Sequence, residues 1–283
     1  MTMDFSLVVA TCGRTDELEL LFSSISRQKI ENVEIIVVDQ NADDRVIPII
    51  QRFSETMEIK HIRSEIRNSS HARNLGLAAA IGDIIAFPDD DCVYPEGILS
   101  QVTRAFQNDK DLGLLVGPSI GPAGGLGSGR WHHESGVPTM QTIWTSVIEF
   151  NMFAKSEWLR LAHGFDSDLG VGASFGSGEG VDLAIRIMRM GGKVFYDYSL
   201  RVIHPDKSLT QTAVLRAFYY GKGLGRVLRK HAKETGVFTI LNFAIRPAGG
   251  ILLSMLKSNF MAADYYWQTL RGRLAGYRAK LDG

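Results

Sequence analysis

Short β-branched runs alternate with amphipathic stretches along the first two-thirds of the chain, and no other feature constrains the fold as strongly. Residues 6–11, 33–39, 59–63, 84–87 and 114–117 read as strands, and 193–198 as one more. Between them, 16–28, 45–53, 70–80 and 95–106 read as helices. In the first of these, Leu18, Leu21, Phe22 and Ile25 recur at helical spacing behind a Thr15 N-cap. The strands are apolar almost throughout, so both faces of the sheet are covered. The alternation therefore predicts an α/β fold, a mostly parallel sheet flanked by helices. Ligands of such sheets sit at the carboxyl ends of the strands. Further along, 151–164 and 181–190 read as helices. Glycine-rich stretches at 117–136 and 164–180 read as loops. The first, running through Gly121 and Gly129 to Trp131, His132 and His133, is suited to closing over a ligand.

With 45% hydrophobic and 22% charged residues in 283, the composition excludes a disordered, collagenous or coiled-coil chain. Two cysteines, Cys12 and Cys92, make no disulfide framework, and a reducing cytoplasm is the expected compartment. The start lacks a basic region followed by a long apolar one, so no secretory signal is expected. The formal net charge is zero but unevenly spread: residues 207–283 hold 13 Lys/Arg against 3 Asp/Glu, residues 1–206 hold 18 against 28. A basic tail on an acidic body suits an anionic partner, or else forms a solvated helical face. From about Thr212 the tail reads as helical, basic and aromatic. Its apolar segment 237–256 is interrupted by Arg246-Pro247 and Gly249-Gly250, which predicts an interfacial helix pair, or a buried one, in place of a membrane-spanning helix. The expected division is thus a catalytic domain at 1–206 and a helical, basic, membrane-associating region at 207–283.

Chemistry concentrates where the strands end. In Phe87-Pro-Asp89-Asp90-Asp91, three consecutive carboxylates follow a buried strand; such neighbours repel unless a cation neutralises them. Oxygen ligands on a rigid strand end suit Mg2+ or Mn2+, which also bind substrate phosphates. A turn with an acidic helix cap needs only one Asp. Asp39 closes the second strand, where it can accept from a ribose or base or make an Asx turn. Ser70-His-Ala-Arg73-Asn74 opens a helix and offers an anion site, or a surface Arg. Glu179 and Asp182 open a later helix, where carboxylates either complement the dipole or act as a general base. His204 follows the last strand as a candidate metal or phosphate ligand. The sequence after the first strand, Thr11-Cys-Gly-Arg14, is no dinucleotide fingerprint, and Gly221-Lys-Gly-Leu-Gly225 is no Walker loop.

Taken together, residues 6–11, Glu34-Ile-Ile-Val-Val-Asp39, Ala72-Arg-Asn-Leu-Gly76, Gly82-Asp83 and Phe87-Pro-Asp-Asp-Asp91 resemble, in order and spacing, the family-2 glycosyltransferases of GT-A fold. The likeness continues through Gly164-Phe-Asp166, Gly178-Glu179, Asp182-Leu183 and Val202-Ile-His204, covering about residues 5–205. The basic, amphipathic tail is similar to that of bacterial members acting on lipid-linked or surface polysaccharide precursors. The resemblance implies a Rossmann-like GT-A catalytic domain and inverting transfer from a nucleotide-diphosphate sugar, UDP favoured. It places Asp39 on the base and Arg73, Thr11 and Arg14 on the nucleotide sugar. Asp89 and Asp90 would hold the ribose or metal, Asp91 would be the main ligand of Mn2+ or Mg2+, and His204 would complete the diphosphate–metal site.

One departure matters. Many members carry Glu-Asp where this chain has Glu179-Gly180, and the Asp is the usual base. The expected base here is Glu179, with Asp182 the other candidate. The expected partners are a lipid-linked saccharide acceptor and an anionic membrane surface, not nucleic acid, with the protein peripheral on the inner face of the cell membrane. A non-catalytic nucleotide-sugar-binding scaffold and a nucleotidyltransferase are the rival readings. The second lacks an early Gly-rich triphosphate loop.

Overall fold

The structure is a computed structural model that describes residues 4–28, 30, 32–127, 129, 131–206 and 208–280. In chain order the elements are β1 Phe5–Thr11, α1 Asp16–Ser26, β2 Val33–Asp39, α2 Ile47–Ser54, β3 Glu58–Arg63, α3 Ser69–Ala79, β4 Ile84–Ala86, α4 Ile98–Asn108, β5 Leu112–Val116 and β6 Ser119–Ile120. Then follow β7 Met152–Lys155, α5 Ser156–Leu161, α6 Glu179–Arg189, β8 Lys193–Tyr196, β9 Val202–Ile203, α7 Gln211–Lys230, α8 Ala232–Thr235, α9 Val237–Leu256 and α10 Phe260–Arg278. Seven strands form one sheet in the order β3-β2-β1-β4-β7-β5-β8, and β6 and β9 pair separately. All pairings in the large sheet are parallel except those of β7, which runs antiparallel to β4 and β5.

Period-two alternation sends each strand's side chains to two cores. Leu7, Val9, Ile35, Val37, Ile84 and Ala86 pack with α1, α2 and α4 on one face. Val8, Ile36, Val38 and Ile85 pack with α3 and α6 on the other. These side chains are fully buried, each contributing about 1.5–3 kcal/mol for the larger aliphatics. Register then fixes the site: Thr11 pairs with Asp39, and Asp39 with Arg63, so three strand ends finish level.

Two expectations are corrected, and a third, the N-cap, is met in position alone. Residues 151–164 do not form one helix: Met152–Lys155 is the antiparallel strand β7, inserted between β4 and β5, and Ser156–Leu161 is the α-helical part. Met152, Phe153 and Ala154 are buried on both sides between β4 and β5, and a short apolar run buried on both faces carries no period to separate strand from helix. Thr15 occupies the N-cap of α1 without a side-chain cap bond; Asp16, Glu17 and Glu19 in the first turn complement the dipole instead. The segment Val237–Leu256 is one continuous helix with Pro247 inside it, not a pair, and is long and apolar enough to cross a membrane.

The tail is also joined to the body. On α7, the Tyr219 carbonyl accepts from the Gly176 amide (3.2 Å) and the Tyr220 carbonyl from the Ser177 hydroxyl (2.7 Å). Glycines let α10 lie against α7 almost backbone to backbone. A Cβ at Gly225 would strike the Arg273 carbonyl, and one at Gly276 the Lys222 carbonyl. The glycine-rich run 221–225 thus serves helix packing and binds no phosphate in a loop.

Candidate active site

The carboxyl ends of β1, β2 and β4 converge, and the acidic triplet after β4 divides its labour among three directions. Asp90 turns inward. It is 3% exposed and accepts from the buried Thr11 hydroxyl (2.8 Å) and from the Arg14 guanidinium. Burial pushes its carboxyl up to about 6, against the pull of Arg14 and Thr11. Asp90 and Thr11, both expected on the nucleotide sugar, therefore bind each other and tie β1 to the triplet. Arg14 is more open and also bridges to Asp91 Oδ2 at 2.7 Å.

Asp89 and Asp91 point elsewhere. With His204 they form a cluster whose candidate ligand atoms lie within 4.8 Å of one another. Asp91 Oδ1 is buried and has no hydrogen-bond partner among the described residues, and it lies 3.4 Å from His204 Nε2. On the other side of the ring, Nδ1 is 2.8 Å from the Pro205 carbonyl. That contact suits a hydrogen on Nδ1, and in the neutral ring the Nε2 lone pair then faces the carboxylate. Two acceptors facing each other across a buried gap repel unless a cation lies between them. Two carboxylates and an imidazole are a donor set that fits Mn2+. Phe150 stacks flat on the His204 ring, 4.5 Å between centroids and 11° between planes, and holds its orientation.

Arg73 links this cluster to a second group of acids. It lies on α3, is 6% exposed, and donates to Asp89 Oδ1 (2.8 Å) and Glu179 Oε1 (3.0 Å). The helix that carries it is capped by Asn68, whose side chain accepts from the His71 amide. Glu179 opens α6 and is itself 5% exposed. Burial raises its carboxyl to about 7, and nearby Glu149 adds to the rise while Arg73 opposes it. Glu149 sits in a 3₁₀ turn, Glu149–Asn151, and its Oε1 accepts from the Gly180 amide at 2.8 Å.

Two expected site residues are differently placed. Asp39 reaches the strand edge but is fully buried: Oδ1 accepts from the Asn41 amide (2.9 Å) and side chain (2.7 Å), while Oδ2 faces His61 (3.1 Å) and Arg63 (3.4 Å). It orients Asn41 and Arg63 at the edge and has no free face for a base. Asp182 lies one turn into α6, fully buried, against Arg186 Nε (2.7 Å), Lys230 Nζ (2.9 Å) and His231 Nε2 (2.8 Å). Burial alone would raise its pKa; the His231, Arg186 and Lys230 partners outweigh that and hold it well below the usual carboxylate range. Asp182 fastens α6 to α7 and sits apart from the cation cluster. Sequence reasoning missed Glu149, Asn41, Arg63 and His231. Glu149 precedes a stretch misread as helix, and no spacing signal marks it.

Comparison with known proteins meets this geometry. Residues 6–160 match the family model for glycosyl transferase family 2. The uncharacterized glycosyltransferase YwdF of Bacillus subtilis is 36% identical over 107 residues, 37% of this chain and 39% of that protein. The hyaluronan synthase of Pasteurella multocida is 30% identical over 117 residues, 40% of this chain and 12% of that protein. The matched region thus spans well under two-thirds of these relatives. Among solved structures, the mannosyltransferase PcManGT from Pyrobaculum calidifontis, in complex with GDP-Man and Mn2+, superposes with a TM-score of 0.66 at 16% identity, covering 97% of this chain and 88% of that one. TarS 1-349 of S. aureus, in complex with UDP-GlcNAc, gives 0.62 at 14% identity, covering 95% and 90%. These likenesses establish the GT-A fold. A family match over more than half the chain, on a fold that brings two carboxylates after β4 and a histidine after β9 into a candidate cation site, makes this protein a member of glycosyltransferase family 2.

Proposed function

We propose that the protein is an inverting, divalent-metal-dependent transferase that moves a sugar from a nucleotide-diphosphate donor, UDP favoured, to a hydroxyl of a lipid-linked saccharide or polysaccharide acceptor. The observation that carries this reading is the Asp89–Asp91–His204 cluster, formed where the chain beyond β4 meets the end of β9. Its fit to a donor is supported by the nucleotide sugars named with the structural neighbours, GDP-Man with Mn2+ in one and UDP-GlcNAc in another. A Mn2+ or Mg2+ ion held by Asp89, Asp91 and His204 supplies positive charge against the departing diphosphate.

The chain's own residues do the rest. Arg14 and Arg73 bring fixed positive charge to either side of the triplet, and Arg73 keeps Asp89 at its post. Asn41 and Arg63, oriented by Asp39, line the edge where the nucleoside of the donor lies. One carboxylate of the acid pair at the opening of α6, Glu179 and Glu149, receives the acceptor's proton on the side of Arg73 away from the cation cluster. A base on one side and a leaving group drawn off on the other give inversion.

The place of work we infer is the cytoplasmic face of the cell membrane, with α9 and α10 as the associating part, because α9 is apolar and outward-facing. The expected region 207–283 narrows accordingly, since α7 belongs to the body. A screen of UDP-, GDP- and dTDP-sugars tests the activity. Mn2+-dependent release of nucleoside diphosphate is expected, and it should be lost with EDTA and in Asp91→Asn. Turnover that survives chelation would overturn the metal-dependent reading. The second reading, a nucleotide-sugar-binding scaffold, is favoured by the missing carboxylate at Gly180. It requires Mn2+-dependent nucleotide binding with no turnover of any donor.

A further inference from the structure

The 3₁₀ turn Glu149–Asn151 touches both halves of the site. Phe150 stacks on the candidate ligand His204. The preceding residue, Glu149, reaches the opening of α6, where the Gly180 amide donates to its Oε1. Asn151 locks the turn by donating to the Pro118 and Leu200 carbonyls at 2.9 and 2.7 Å. The turn is therefore rigid, and its two preceding side chains are aimed at the cation cluster and at α6.

Gly180 explains the approach. It is an ordinary helical residue with no left-handed backbone, so conformation does not call for glycine there. Space does. A Cβ at position 180 would lie 2.7 Å from Glu149 Oε1 and 2.9 Å from its Cγ, and its three nearest neighbours would all be Glu149 atoms. The side chain of Glu149 occupies the room that a side chain at 180 would fill. Glu179, next to it, is 5% exposed and bound by Arg73, whereas Glu149 is only half-buried and bonds through Oε1 to the Gly180 amide.

We propose that Glu149, and not Glu179, is the general base of the transfer, supplying from the turn before β7 the carboxylate that position 180 lacks. The inference rests on the glycosyltransfer reading above. In the step, the acceptor oxygen forms a bond to the anomeric carbon, the bond from that carbon to the diphosphate oxygen breaks, and its electron pair leaves with the diphosphate. The acceptor's proton passes to the Glu149 carboxylate. Glu179 is then a positioning residue: it holds Arg73, which holds Asp89.

The test uses the full chain and the donor panel, with water or an added saccharide as acceptor. Glu149→Gln keeps a carbonyl oxygen for the Gly180 amide, so the turn survives while the base is removed. Turnover should fall by about 10²-fold or more, the usual contribution of such a base, while Mn2+-dependent UDP or GDP binding by calorimetry stays at the parent value. The double variant Glu149→Ala with Gly180→Asp restores a carboxylate from the other backbone. It should recover turnover about tenfold or more over Glu149→Gln, as a partial return of the same term. Parent-like turnover in Glu149→Gln, or a double variant no faster than it, overturns the assignment and leaves the transferase reading standing. A parent chain that neither binds UDP or GDP with Mn2+ nor turns over any donor overturns the transferase reading itself, and the assignment with it.

Discussion

At the scale of single residues, the carboxylates of this chain divide into those that hold the fold and those left for chemistry, and sequence position alone does not separate them. Asp182 and Glu179 lie three residues apart on one helix. Asp182 is surrounded by Arg186, Lys230 and His231, with both oxygens taken. Glu179 has one cation, Arg73, and an acid neighbour. Removing the charge of Asp182 as Asp182→Asn leaves two half-buried cations, Arg186 and Lys230, and the buried His231 ring facing a neutral amide. Unpairing a buried ion cluster costs about 3–5 kcal/mol, and the amide oxygen retains one contact, so a loss near ~3 kcal/mol is expected from the urea midpoint at pH 7. The pKa of Asp182 is lower folded than unfolded. Its contribution is therefore full above the unfolded value near 3.8 and fades as pH falls below it, so the gap between variant and parent should narrow toward pH 3. An unchanged midpoint at pH 7 would remove Asp182 from the framework. The motif around Glu179 and Asp182 was legible in the sequence. Which acid meets a cation cage was not, because Lys230 and His231 arrive from a helix some 48 residues on.

At the scale of elements, the parallel half of the sheet was legible because β1, β2 and β4 are apolar runs, with β3 a polar edge strand beside them, separated by periodic helices, and the ends of β1, β2 and β4 delivered Thr11, Asp39 and the acidic triplet to one edge as expected. What stayed hidden was β7, the one antiparallel insertion, and with it the turn that carries Glu149. Long-range pairing of Phe153 with Ala86 and Leu115 decides that strand, not local propensity. The glycines of α7 and α10 were equally opaque: the sequence showed that Gly221–Gly225 is no Walker loop but not what it is for, and only the crossing of two helices shows why a side chain is excluded. Gly276→Val would drive a side chain into the Lys222 carbonyl. Backbone cannot yield as a flexible side chain can, so α10 should part from α7. Limited trypsin digestion should then cut after Arg271, Arg273 and Arg278 far sooner than in the parent. Gly249→Ala is the control, since a Cβ there meets nothing within 4 Å. Equal digestion of Gly276→Val and the parent would mean that the helix pair is not held by this close approach.

At the scale of the whole molecule, charge and apolar surface are segregated in the same direction. The acidic body carries the sheet and the site, while the basic tail contains α9, which exposes Phe238, Leu241, Ile245, Leu252, Leu253 and Leu256 along a single helix. An apolar face of this extent in water is a standing cost unless something covers it. The neighbouring cations, Lys257 after α9 and Arg271 and Arg278 on α10, suit anionic headgroups. Two independent forces then act on one surface, and they separate by experiment. Attraction to anionic lipid is screened as the Debye length shrinks from about 10 Å at 0.1 M salt to about 3 Å at 1 M, whereas burial of apolar side chains is not. Co-sedimentation with phosphatidylglycerol vesicles should therefore weaken with salt but persist in part at 1 M. Phe238→Asp with Leu256→Asp, at positions 80% and 75% exposed, should abolish the salt-resistant fraction without disturbing the body. If those substitutions leave vesicle binding at 1 M salt unchanged, α9 is not the inserted surface. If the parent ignores vesicles even at low salt, the tail is not a membrane-associating surface, and the acceptor need not be lipid-linked.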